Sequence, residues 1–284
     1  MLRIALPNKG RLSEEVRELF NDAGLEVRVR GERALTASLG GEFEAIFVRA
    51  QDIPEFVADG AADAGVTGWD LVCESGRDLE QLMDLEFGRC RLVVAAREDS
   101  GIQQLEDIQS GVRVASSFTR LTEEFFTRRG QKITVVPVSG ATEIAPHLGI
   151  ADIIVDLTST GSTLKMNGLR EVGTIVQSSA RLIARKNHAP EAAAKLEELR
   201  QALGSVLAAR DKRYLMANVP RTALSGVREV LPGLNGPTVV EVQGGDFVAV
   251  HAVVPARTIY RTINALRALG CQGILVTRIE RLMP

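Results

Sequence analysis

Residues 149–164 read GIADIIVDLTSTGSTL, an apolar run that ends in an acid and passes into a loop of hydroxyls around one glycine. Ser159, Thr160, Ser162 and Thr163 supply hydroxyl donors, and Gly161 lets backbone N–H groups approach an anion closely. A helix starting just beyond the loop adds its positive dipole end. Asp156, at the carboxyl end of the strand, can accept hydrogen bonds from sugar hydroxyls. Together these residues describe a grip for ribose 5-phosphate. The plainer alternative is an ordinary capped strand-to-helix turn, where Ser, Thr and Gly are common. Asp152 shares a strand face with Asp156 but lies about 13 Å away along an extended chain, so the two carboxylates cannot hold one sugar. It reads as an anchor at the strand start, with direct ligand contact as the alternative.

Cations recur at other strand ends. Lys9 and Arg11 flank Gly10 directly after a buried strand, and Arg49 follows a second one. Loops in such places face a cleft and suit an anion, although solvated surface charge has the same appearance. Asp70, after Thr67-Gly68-Trp69, either contacts a ligand or caps the helix that follows. Trp69, the only tryptophan, either stacks on a flat ligand or packs in the core. His147 reads as a partly buried structural imidazole.

Short apolar runs alternating with helical-period segments predict a mainly parallel sheet covered by helices over about the first 185 residues. Strands are expected at 2–6, 45–48, 64–66, 92–96, 112–115, 134–137 and 153–157, and less clearly at 174–177 and 181–184. These are too many for one small sheet. Two α/β lobes fit better, with crossings near 86–91 and 174–182 and a ligand cleft between them. A first helix carries Val16, Leu19, Phe20 and Ala23 on one face, with Ser13 as its cap and Gly24 as its end. A long helix over 190–213 buries Leu196, Leu199, Leu203, Val206 and Leu207. The remainder reads β-α-β-β-α-β, the ferredoxin-like order, with a turn at Gln243-Gly244-Gly245-Asp246. The division is therefore 1–88 completed by 177–211 as lobe I, 89–176 as lobe II carrying the hydroxyl loop, and 212–284 as a C-terminal domain.

Composition narrows the classes. The 34 Lys and Arg nearly balance 36 Asp and Glu, so the chain exerts no global pull on nucleic acid or an anionic membrane, and any anion site is local. Aromatic residues, at 4%, are too scarce for base stacking along a strand of nucleic acid. The three cysteines, Cys73, Cys90 and Cys271, are too scattered for a disulfide framework and read as reduced structural thiols. Three histidines make a His-rich metal site improbable, and no protein metal cage is expected. No apolar run approaches a membrane span and no signal-peptide pattern opens the sequence, so a cytoplasmic protein is expected.

The hydroxyl-loop segment, preceded by Glu143-Ile144-Ala145-Pro146, resembles the signature of the ATP phosphoribosyltransferases that open histidine biosynthesis. The segments at 6–12, 49–54 and 60–70 agree with it, and the likeness extends over the whole chain, including a C-terminal domain, as in the long form of that family. It implies a two-lobed α/β fold like that of type II periplasmic binding proteins, followed by a ferredoxin-like (ACT-like) regulatory domain. The pattern departs from Rossmann-like phosphoribosyltransferases, which place two adjacent acids before the loop, whereas Leu157 follows Asp156 here.

The implied reaction displaces pyrophosphate from phosphoribosyl pyrophosphate (PRPP) by N1 of ATP. The resemblance assigns PRPP to Asp156, Ser159, Thr160, Gly161, Ser162 and Thr163, and ATP or pyrophosphate to Lys9, Gly10, Arg11, Arg49 and Asp70. Glu143 would offset positive charge on the sugar ring, or serve the first turn of a helix. Mg²⁺ is expected, bound mainly through substrate phosphates. The resemblance also implies feedback inhibition by histidine at Asn218, Leu234, Thr238, Val253 and Gly273, AMP as a further inhibitor, and a homo-oligomer, dimer or hexamer. A solute-binding or effector-sensing module of the same fold, and a transferase acting on a free base, are the competing readings.

Overall fold

A computed structural model of the chain describes residues 1–29, 35–243 and 245–283. Two compact units divide between Glu197 and Glu198. The first runs through β1 (Leu2–Pro7), α1 (Arg11–Asp22), β2 (Val27–Val29), β3 (Thr36–Leu39), β4 (Phe43–Val48), α2 (Ile53–Ala58), β5 (Ala64–Gly68), α3 (Trp69–Ser75) and β6 (Glu80–Asp84). The chain then leaves this sheet for β7 (Cys90–Arg97), β8 (Arg113–Ser116), α4 (Thr119–Arg128), β9 (Thr134–Pro137), β10 (Ile153–Thr158), α5 (Ser162–Met166) and β11 (Leu169–Ser178). It returns through β12 (Ala180–Ala184) and enters α6 (Pro190–Arg210), which spans the division between units.

Two sheets result, ordered β2-β3-β4-β1-β5-β12-β6 and β11-β7-β10-β8-β9, one for each expected lobe. The apolar run of β1 is buried on both faces, with Ile4 and Ala5 fully enclosed, because β1 lies parallel between β4 and β5 under helices. Helix α1 turns Val16, Leu19 and Phe20 inward as its spacing predicts. Ser13 does not cap it. The cap position is Gly10, at φ 82°, and Ser13 is buried with its amide on the Gly10 carbonyl at 3.0 Å. Gly24, at φ 74°, ends the helix by donating to Asn21 O at 2.8 Å.

The two crossing segments pair with each other. Leu85 N–H donates to Ala180 O at 3.0 Å, and Ala180 N–H donates to Phe87 O at 2.9 Å. All three residues are buried, so the lobes are joined by a short two-stranded hinge. Three strands escaped the sequence reading. β2 and β3 form an antiparallel edge pair of three and four residues, and β6 carries acids at both ends.

Asp152 is a strand-start anchor. Its carboxylate accepts from Arg113 Nη2 at 2.8 Å and from the Arg113 amide at 2.8 Å, while Arg113 Nη1 reaches Gly149 O at 2.8 Å. This clamps the start of β10 to the start of β8, and the Arg113 guanidinium holds the Asp152 carboxyl below its ordinary range. Asp152→Ala should lower Tm by about 2–4 °C with kcat unchanged. Differential scanning fluorimetry beside a turnover assay checks both.

The stripe from Leu196 to Leu207 on α6 is buried as expected. The helix stops at Arg210 rather than residue 213, because Lys212 already pairs with Pro255. The second unit contains β13 (Lys212–Pro220), α7 (Leu224–Val230), β14 (Thr238–Glu241), β15 (Phe247–Pro255), α8 (Ile259–Ala268) and β16 (Gln272–Arg278). Its antiparallel order β14-β15-β13-β16 is ferredoxin-like. Leu215, Val219, Val227, Val250 and Leu266 fill the space between sheet and helices. The expected turn before β15 includes residue 244, which lies outside the described residues. Among the described residues no helix is long and apolar enough to cross a membrane.

Candidate active site

Strand direction decides where the candidate residues lie. β4, β1 and β5 are parallel, so the loops carrying Arg49, Lys9 to Arg11, and Trp69 leave the same edge of the first sheet. β12 begins at Ala180 opposite Gly68, which places that edge at the hinge. In the second sheet Thr158 pairs with Arg91, one residue beyond the Cys90–Ser178 pair. The hydroxyl loop therefore also springs from the hinge edge. A cleft of ≈ 320 Å³ brings Ser159 together with Ser178, Ser179 and Arg181 of the hinge. Lys9, Gly10, Arg11 and Arg49 are exposed on their edge outside this cleft.

The loop is built as an open cradle. Thr158 Oγ1 accepts the Gly161 amide at 2.9 Å, and Thr160 Oγ1 shares a 2.9 Å bond with Ser162 Oγ. These side-chain bonds fold the loop and engage the amides of Gly161 and, at 3.4 Å, Ser162, leaving its other main-chain donors open. Among the described residues the amides of Ser159, Thr160 and Thr163 have no partner, and Ser159, Thr160, Ser162 and Thr163 are exposed. Gly161 adopts φ 78° at the start of α5, while Leu164 is buried and pins that short helix to the sheet.

Asp156 is half-buried on the face of β10 that also carries Thr158. Burial pushes its carboxyl above the ordinary range, and the charge of Glu143 acts in the same direction. The Leu157 amide, at 2.7 Å, and the Thr142 hydroxyl oppose that shift. Glu143 stands in the first turn of the 3-10 helix Thr142–Ile144, and its charge reaches the Asp156 carboxyl. His147 is exposed rather than partly buried, and its Nε2 bonds to Asn167 O at 2.8 Å.

Asp70 departs from its expected role. Gly68 holds the cap position of α3, while Asp70 stands inside the first turn, 4% exposed. Its carboxylate accepts from the Ser178 hydroxyl, and its amide donates to Ser178 Oγ at 3.0 Å. Burial raises its pKa. Asp70 thus fastens α3 to the hinge. Trp69 joins the packed cluster around Ile53, Val57 and Val72. Burial, and after it the charge of Asp70, pushes the Cys90 thiol up, which suits a structural thiol.

Sequence reasoning missed Glu74. Its carboxylate accepts the amides of Arg120 and Leu121 at 2.9 Å each, so α3 of one lobe caps α4 of the other. No local pattern marks a cap supplied from so far along the chain. In the second unit Asn218 and Gly273 meet, since a Cβ on Gly273 would lie 3.1 Å from Asn218 Nδ2. Thr238 lies on β14 at the opposite edge of the sheet, with Val253 on β15 and the half-exposed Leu234 in the loop before β14. One sheet does not gather these five residues into one pocket.

A two-lobed fold with an open hydroxyl loop and a half-buried carboxylate at the hinge suits a phosphorylated sugar. Comparison with known proteins agrees. A family model for ATP phosphoribosyltransferase matches residues 49–205, and one for the HisG C-terminal domain matches residues 209–281. The ATP phosphoribosyltransferase of Gemmatimonas aurantiaca is 68% identical over all of both chains. The chain belongs to the ATP phosphoribosyltransferase family. That of Haloarcula marismortui is 51% identical over 99% of this chain and all of its own. Among solved structures, a chain of the ATP phosphoribosyl transferase (HisG:HisZ) complex from Thermotoga maritima superposes with a TM-score of 0.61 at 28% identity. That match covers 72% of this chain and 94% of that one. The enzyme is therefore a glycosyltransferase of histidine biosynthesis, acting at its first step. Membership decides against a solute-binding module.

Proposed function

We propose that the enzyme joins N1 of ATP to the anomeric carbon of PRPP and releases pyrophosphate. The observation that carries this reading is the cradle after β10, with exposed hydroxyls and unengaged amides beside a half-buried carboxylate. The ring nitrogen already carries a lone pair, so the nucleophile needs orientation more than deprotonation. Residues 159–163 take the terminal phosphate, and Asp156 accepts the ribose hydroxyls. As the bond to pyrophosphate breaks, positive charge grows on the sugar ring, and the Glu143 carboxylate beside Asp156 offsets it. Lys9, Arg11 and Arg49 serve the triphosphate or the departing pyrophosphate.

The donor set suits Mg²⁺ carried by substrate oxygens. Asp156, two residues before Thr158 and the loop, is the carboxylate that would touch such an ion. When bound, the ion would neutralise charge on the leaving group. Incubation with ATP, PRPP and Mg²⁺, in parallel with free adenine, tests the acceptor. Phosphoribosyl-ATP should form, and product from adenine alone would overturn this reading.

Thr163→Val removes one hydroxyl donor and should cost about 1–3 kcal/mol of PRPP binding. The KM for PRPP should rise about tenfold, with that for ATP unchanged. The ferredoxin-like unit is read as the regulatory domain, where histidine inhibits at the Asn218–Gly273 contact, with the expected Leu234, Thr238 and Val253 lying apart from it. Asn218→Ala should weaken histidine inhibition at unaltered kcat, as a titration of turnover with histidine would measure. AMP as a further inhibitor, a homo-oligomer and a cytoplasmic location complete the reading.

A further inference from the structure

We propose that Arg91 supplies the positive charge of the phosphoribosyl phosphate site and that Glu171 positions it, an inference that rests on residues 159–163 holding the sugar's terminal phosphate. The loop itself offers only neutral donors, whereas a phosphate monoester brings nearly two negative charges and is held best by a charge-assisted partner. Strand register places that partner. Arg91 pairs directly with Thr158, the residue that opens the loop, so both side chains leave the same face of the sheet. Asp156, two residues back on β10, shares that face.

Arg91 lines the ≈ 320 Å³ cleft with Ser159 and a second cleft of ≈ 420 Å³ with Thr160 and Gly161, and so flanks the loop on both sides. Its Nη1 donates to Glu171 Oε1 at 2.6 Å, and the same oxygen accepts from Thr174 Oγ1 at 3.2 Å. The other edge of the guanidinium, Nε and Nη2, has no partner among the described residues. Glu171 thus fixes one edge of the fork and leaves the other for two phosphate oxygens. Arg89, in the same hinge cleft, makes only a 3.4 Å contact with the Glu86 carbonyl and has no carboxylate to orient it.

Calorimetric titration of ribose 5-phosphate, ribose, ATP and pyrophosphate into the intact enzyme and its variants tests the assignment. Arg91→Gln should weaken ribose 5-phosphate binding about tenfold or more while leaving ribose and ATP unchanged. Arg91→Lys should recover part of the loss, since the charge returns without the fork. Glu171→Gln should raise KM for PRPP at nearly constant kcat, a split that a merely structural role would not give. If Arg91→Gln fails to fold, Arg91→Lys and Glu171→Gln carry the test. Binding of ribose 5-phosphate at wild-type strength by these variants, or a loss confined to pyrophosphate, would overturn the role of Arg91. A wild-type enzyme that does not bind ribose 5-phosphate would instead overturn the phosphate-loop reading itself.

Discussion

Asp156→Asn should lower kcat/KM for PRPP by about a hundredfold, with the fold retained and ATP binding unchanged. An amide oxygen replaces one carboxylate acceptor, and the second position becomes a donor facing sugar hydroxyls. Hydrogen bonds to a charged acceptor contribute about 1.5–3 kcal/mol each, and two of them account for an effect of that size. Because burial raises the pKa of this carboxyl, the wild-type enzyme should lose PRPP affinity on acidification at a pH above the ordinary aspartate value. Protonation removes the acceptor charge. The acid limb should vanish in Asp156→Asn, and steady-state kinetics across pH would show its presence or absence.

Gly161→Val should raise KM for PRPP by tenfold or more and leave ATP binding intact. A Cβ at this position meets nothing within 4 Å, so the effect is conformational rather than a clash. At φ 78° a β-branched residue costs about 1–3 kcal/mol, and the loop relieves that strain by turning its amides away from the anion. Gly161→Asn tolerates the left-handed region better and should fall between wild type and valine. Equal KM values for the valine and asparagine variants would show that Gly161 serves only by lacking a side chain.

The cradle was legible because it is local. Its donors, its glycine and its carboxylate lie within eight consecutive residues, 156–163, and the strand before them is an unbroken apolar run. The two lobes were legible for the same reason, since runs such as those of β1, β7 and β10 are buried on both faces. The role of Asp70 was not, because its partner Ser178 ends β11 at the crossing between lobes, 108 residues away. Arg91 was hidden likewise. Only the β7–β10 register sets it opposite Thr158. β2 (VRV) and β3 (TASL) were missed because polar residues break both into pieces with no apolar run, and the charged ends of β6 mask its pattern.

The most direct test of the account is a crystal structure of the enzyme with PRPP bound. The terminal phosphate oxygens should lie about 2.7–3.1 Å from amide and hydroxyl donors of residues 159–163, with the ribose hydroxyls on Asp156. A terminal phosphate held instead between Lys9 and Arg11, with the loop after β10 making no contact to the ligand, would contradict it.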